Sequence, residues 1–168
     1  MVFQVVVPKQ LRDFELGRHR LQFIYQAPSS FAKVIRFENL DRIKTEEGFA
    51  KVAGIELTLL DCARYFHKAG GISSVAQVVK DIGDKADSAK LASIAGAYEN
   101  SSVRRLGFLL ERSSHEKQAL ALEPFARKAK TLTPLNPAVK PLVESLAEVS
   151  ERSTRWKLLL NEPVETDS

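Results

Sequence analysis

The sequence predicts an α+β fold: a small N-terminal antiparallel sheet, joined by a C-terminal strand and packed against a bundle of about four to five helices. Three observations carry this reading. Apolar residues recur with a period of two over the first fifty residues and with a period near 3.6 from Glu56 onward. The connections between the early strands are too short for crossover helices. Residues 156–160 return to a strand-like pattern after a proline-marked connection.

Phe3–Val7 is β-branched and stops at Pro8, which cannot donate to a ladder. After a turn near Gly17, His19–Tyr25 alternates, and Lys33–Phe37 alternates again. Phe49–Val52 follows a Glu47-Gly48 turn as a short fourth strand. The helical period then begins at Glu56 and runs to Gly70-Gly71, with Leu57, Leu59, Leu60, Ala63 and Phe66 inward. Ser73 or Ser74 caps a second helix whose stripe is Val75, Val78, Val79 and Ile82, ending before Gly83.

Asp87 caps a third helix, with Leu91, Ile94, Ala95 and Tyr98 inward. Asn100-Ser101 opens a fourth, burying Val103, Leu106, Leu109 and Leu110. A fifth, around Glu116–Lys130, is expected to break or restart at Pro124. Pro134, Pro137 and Pro141 mark an extended connection. Trp156–Leu160 is the closing strand, expected to pair with the N-terminal sheet, and the tail 163–168 is expected to fray. The whole of 1–168 reads as one domain.

The 168 residues, 44% apolar and 27% charged, are enough to bury a core and argue against disorder. No apolar run reaches the roughly 20 residues that span a bilayer. The opening MVFQVVVPKQ lacks the layout of a signal peptide, and a single cysteine cannot form an internal disulfide, which fits the cytoplasm. The net charge is +4, and the excess is uneven. Residues 61–130 hold twelve Lys/Arg against eight Asp/Glu, while 1–60 hold nine against seven and 131–168 four against six. A mild excess of this kind suits a basic face for an acidic partner.

No catalytic constellation emerges. Cys62 lies among Leu59, Leu60, Ala63 and Phe66, which reads as a buried, inert thiol. His19, His67 and His115 have no metal-ligand spacing, and Gly70-Gly71 lacks the Lys-Ser/Thr of a phosphate loop. No catalytic residue, metal or cofactor is expected. Asp61 and Arg64, three apart, suit a local ion pair, and Glu56 suits the positive end of a helix. Arg104 and Arg105 diverge by about 100° on a helix, so at most one is expected at the core-flanking edge. Arg64, Lys68, Arg105 and Arg112 are the candidate partner-binding residues, expected on the exposed side of two helices. Arg127, Lys128 and Lys130 form a basic helix end that the helix dipole alone explains.

Five segments, in order, carry a family resemblance: VVVPKQ, RHRLQFI, KVAGIELTLLDCARYFHKAGG, KLASIAGAYENSSVRRLGFLLE and RWKLLLNEPVE. Together they resemble the C-terminal domain of AbiEi-type antitoxins of abortive-infection, type IV toxin–antitoxin systems, over nearly the whole chain. The family pattern often places Pro before the Glu of the ELTLLD helix, where this chain has Gly54-Ile55.

The resemblance implies a non-enzymatic domain that supports neutralisation of a nucleotidyltransferase-like toxin and assists cooperative operator binding and operon autoregulation. Full-length members begin with a winged helix-turn-helix that binds operator DNA. The chain begins at what looks like the strand after it, as a piece of a longer protein, through a misassigned start, or as a stand-alone descendant. DNA binding is therefore expected of the winged-helix domain rather than of these residues. The alternative is a stand-alone nucleic-acid-binding regulatory module, although few aromatics interleave with the charges. An enzyme of unfamiliar type ranks last.

Overall fold

The structure is a computed structural model that describes residues 1–139 and 151–166. Its α+β order agrees with the period change near residue 55, but the strands are distributed over three small sheets. In the first, β1 (Val2–Val7), β2 (Phe14–Leu16) and β3 (His19–Tyr25) take the order β1-β3-β2. β2 and β3 form an antiparallel hairpin, while β1 runs parallel to β3 from Val2↔Arg20 to Val7↔Tyr25. The expectation of a wholly antiparallel sheet is corrected here. Residues 8–13 carry the chain back without a helix, and Asp13 fixes them by accepting from Arg20 Nη2 at 3.0 Å and from the Phe23 amide at 3.2 Å.

The strand expected over Lys33–Phe37 is also corrected. Pro28 opens a helix, α1 (Pro28–Val34), and a 3-10 turn covers Phe37–Asn39. Proline is preorganised for a first helical turn, where it has no amide bond to lose. Asn39 Nδ2 then donates to the Val34 carbonyl at 3.0 Å, satisfying an otherwise orphaned helix-end acceptor. The second sheet is a hairpin of β4 (Leu40–Thr45) and β5 (Gly48–Ala53), the first of which alternation alone did not suggest.

The main core lies in the helical half. It is formed by α2 (Ile55–Arg64), α3 (Ile72–Ile82), α4 (Ser88–Ala95), α5 (Asn100–Arg112) and α6 (Glu116–Lys128). α2 ends at Arg64, and turns lead to Gly70 and Gly71, whose φ angles of +88° and +92° explain glycine at both. Gly71, rather than Ser73 or Ser74, occupies the cap position of α3. Asp87 caps α4 as expected, accepting from the Lys90 amide at 2.8 Å. α6 runs unbroken through Pro124, contrary to the expected break, with Ala119, Leu122 and Ala126 fully buried in its packed face. α5 sits at the centre, against α2, α3 and α6, and Leu60, Leu106 and Leu109 have no exposed surface.

The third sheet closes the fold: β6 (Thr133–Pro134), β7 (Arg152–Ser153) and β8 (Leu158–Leu159) in the order β6-β8-β7. The segment 156–160 therefore pairs with its own C-terminal neighbours and not with the N-terminal sheet. The cause is Trp156, which is fully buried on α5. A Cβ at Gly107 would lie 2.0 Å from Trp156 Cζ3 and 2.3 Å from Cη2, so the ring occupies the space a side chain would fill. Trp156 Nε1 donates to Glu111 Oε2 at 2.8 Å, one turn further along the same helix. Arg155 bonds Glu111 and Glu116, the latter at 2.7 Å, tying the same segment to α6. After Pro163, where fraying was expected, the Val164 carbonyl accepts from Arg112 and the Glu165 amide donates to Ser73 Oγ at 3.1 Å. Pro141 lies outside the described residues.

Two substitutions check this packing. Leu106→Ala is expected to lower stability in chemical denaturation by about 2–5 kcal/mol, as for other fully buried leucines. Gly107→Ala should cost about 1–3 kcal/mol or more, because the methyl group and the indole claim one volume. Since Trp156 is the only tryptophan, its emission should shift to the red in Gly107→Ala. An unchanged spectrum and melting temperature would show that the ring is not held there.

Candidate functional site

The four basic residues singled out from the sequence do not form one face. Arg105 is 4% exposed and belongs to the core, correcting its expected position on the exposed side. Its Nε donates to the Leu135 carbonyl at 2.8 Å, its Nη1 donates to the Ala63 carbonyl at 3.0 Å, and its guanidinium lies 4.7 Å from the centre of the Phe66 ring. Burial pushes its pKa down to about 10, with the charge of Arg104 adding to the shift. Arg112 is exposed at the far end of α5, and Lys68 is exposed in the turns after α2. Arg64 is 19% exposed and pairs with Glu99 at 2.6 Å, beside the start of α5. Arg64 and Arg112 thus sit at opposite ends of α5, roughly 18 Å apart along the helix axis.

Arg104 is buried as well, at 3% exposure, although the angular argument allowed only one of the pair near the core. Its Nη1 reaches the Lys157 carbonyl at 2.8 Å and the Thr131 carbonyl at 3.2 Å, while Nη2 donates to Thr133 Oγ1 at 2.9 Å. Among the described residues, neither arginine pairs with a carboxylate. The carbonyls of Thr131, Lys157, Leu135 and Ala63 and the Thr133 hydroxyl replace much of the water that the two guanidinium groups lose, while Arg104 Nε is buried without a partner among the described residues. The segment that covers α5 makes both faces internal. The RRLG block is therefore a clamp for the C-terminal segment rather than a docking patch.

The α2 charges also differ from the expected pattern. Asp61 makes no direct pair with Arg64; its carboxylate accepts from the Tyr98 hydroxyl at 2.6 Å, while Arg64 turns to Glu99. Burial raises the Asp61 pKa to about 6, against the opposing effects of the Tyr98 bond and the Arg64 charge. The Tyr98 hydroxyl is pushed upward by burial and by Asp61. Glu56 is buried rather than a simple surface cap, accepting from the Asp87 amide at 2.8 Å and pairing with Lys90 at 3.1 Å. Cys62 is partly buried, and burial raises its thiol to about 11, which keeps it protonated and a poor nucleophile at neutral pH.

One face of the β4–β5 hairpin is an exposed basic surface that sequence reasoning missed. Antiparallel register sets Arg42 opposite Lys51 and Lys44 opposite Phe49. Successive residues alternate across a strand, so these four share one face. All four are exposed, and the Arg42 guanidinium lies 4.0 Å from the centre of the Phe49 ring. The available signal was RIKTEEGFAK, two alternating runs joined by a turn. Chemically, this surface offers cations and an aromatic face to an acidic partner.

A family model for the AbiEi antitoxin C-terminal domain matches residues 1–112. No curated protein and no solved structure matches the chain. Among the described residues, no helix is long and apolar enough to cross a membrane.

The burial of these charges sets two expectations. Arg105→Ala should destabilise by about 1–3 kcal/mol or more, because it leaves the Leu135 and Ala63 carbonyls buried without donors. Charge reversal at exposed Lys68 should change stability by less than about 1 kcal/mol. Asp61 has the opposite sign to an ordinary paired carboxylate, since its folded pKa of about 6 exceeds its ordinary value of 3.8. Between those values the folded chain holds a proton that the unfolded chain has lost. The Asp61 contribution therefore lowers stability as pH rises through that window, and the penalty is complete above it. Denaturation curves from pH 4 to 7 should show this decline in the native chain and a shallower one in Asp61→Asn. Parallel profiles would remove Asp61 as the cause.

Proposed function

The chain belongs to the AbiEi antitoxin C-terminal domain family, and from that premise we propose that it is the antitoxin domain of a type IV, abortive-infection toxin–antitoxin system. In this reading it acts in the cytoplasm as a non-enzymatic regulator. It supports neutralisation of a nucleotidyltransferase-like toxin and assists autoregulation of its operon, with DNA held mainly by a winged-helix domain outside these residues. The single observation that carries the reading is the family match, which spans both N-terminal sheets and continues to the end of α5.

The surface we assign to an acidic partner is the face of β4–β5 that carries Arg42, Lys44, Phe49 and Lys51. It supplies side chains of the types that interfaces favour, arginine and an aromatic, on a regular two-stranded frame. Lys68 and Arg112 remain exposed candidates for the margin of such a contact, and Arg64 contributes through its partly exposed edge. Arg105 has no part in it.

Neutralisation in cells that co-express a nucleotidyltransferase-like toxin tests the assignment. Arg42→Glu with Lys44→Glu should fold normally and lose protection, while Lys68→Glu with Arg112→Glu should lose less. Full protection by the hairpin variant would place toxin neutralisation elsewhere or make it independent of contact. A second reading, direct nucleic-acid binding, is favoured by the same cation–aromatic face, because a base can stack on an exposed ring. In that case the chain should retain labelled operator DNA with an affinity that falls steeply with salt, and Phe49→Ala should weaken it. Salt-insensitive or absent binding would dismiss this second reading.

A further inference from the structure

A cavity of about 540 Å³ lies between the first sheet, α1, β5 and α2. Its walls are mostly apolar, with Val5, Ile24, Phe31, Val34 and Leu57 among them. Gln26 also lines it, and is 1% exposed with neither amide atom hydrogen-bonded to any described residue. The backbone explains how a polar side chain comes to be there. The Gln26 amide donates to the Val7 carbonyl at 2.9 Å, extending the β1–β3 pairing one residue beyond the strand. Two-residue alternation then gives Gln26 the same inward side as buried Ile24, while Tyr25 faces out.

A buried amide without partners is costly, because the hydrogen bonds it made to water are lost and not replaced. Gln26 holds a donor and an acceptor in one plane, so its full complement is a group with an adjacent donor and acceptor of its own. Tyr65 lines the same cavity, and its hydroxyl is buried without a partner among the described residues. Asp61 and Lys51 both line the cavity, so their opposite charges offset and the lining calls for no net charge on a ligand. The volume lies within the range of about 300–1,000 Å³ usual for small-molecule sites, which combine apolar walls with a few placed polar groups. We propose that this cavity binds an uncharged, largely apolar small molecule that presents an amide or lactam edge to Gln26. The inference stands independently of the toxin-docking surface.

The probe is 2-quinolinone, a neutral bicyclic lactam, with naphthalene as the same shape without the polar edge. In the isotopically labelled full chain, 2-quinolinone should shift the side-chain amide signals of Gln26, and naphthalene should leave them in place. Gln26→Leu replaces an unpartnered buried amide with an apolar group and should fold. It should weaken 2-quinolinone by about tenfold, the equivalent of one or two hydrogen bonds, and leave naphthalene unchanged. Should Gln26→Leu not fold, Tyr65→Phe and the native Gln26 signals decide the matter. A lactam that fails to bind, that binds without moving the Gln26 signals, or that binds Gln26→Leu as tightly as the native chain would overturn the proposal.

Discussion

Two guanidinium groups taken out of water on adjacent positions of α5 are the constraint around which the helical half is organised. A buried cation is tolerated only when other dipoles replace its hydration. Here the replacements are carbonyl oxygens and one hydroxyl, drawn from Ala63 on one side and from Thr131, Thr133, Leu135 and Lys157 on the other. That demand fixes the path of the C-terminal segment: it must cross α5 with its carbonyls directed inward. Trp156 then fills the gap left by Gly107, and Glu111 holds the indole nitrogen. Charge, shape and hydrogen bonding on one helix thus select the same arrangement.

The helices were legible because each carries enough periodic apolar residues to be recognised alone. Val75, Val79, Leu91, Leu106 and Leu109 all fall in the core that their spacing implied. The sheets were less so. Strand direction in the first sheet depends on Asp13 bonding Arg20 and Phe23, a tertiary contact with no local pattern. The Lys33–Phe37 alternation was too short to outweigh a helix opened by Pro28. The arginines were misplaced for a related reason: their partners are backbone carbonyls about 27 to 53 residues away. Spacing rules see side chains on the same helix and do not see those acceptors. The signal that could have helped was small, a glycine three residues after Arg104 in an otherwise strong helix.

The blocks that carry the family resemblance and the surface available to a partner are largely separate. ELTLLDCARYF and RRLGFLLE supply buried contacts, and their charged members Glu56, Arg104 and Arg105 serve the fold. On the β4–β5 hairpin, the exposed Arg42 lies over the exposed Phe49 ring. A residue pattern shared by a family can therefore mark how its members are built, while the surface proposed for recognition lies on a separate strand pair. Core residues of this kind speak to packing, whereas exposed loop and edge positions speak to function.

The clamp on α5 also has a consequence for the order of events during synthesis. A chain leaves the ribosome N-terminus first, at about 5–20 residues per second, and domains tend to fold as they emerge. The first two sheets and α2 to α4 can assemble early, but Arg104 waits for Lys157, fifty-three residues downstream. Until then α5 exposes a groove at Gly107 and two cations meant for the interior. The domain is thus left open along one helix until residue 157 has emerged, and the segment around Trp156 and Lys157 acts as its latch. A ribosome that stalls in this stretch would release an antitoxin domain with its central helix uncovered, the state most open to proteolysis.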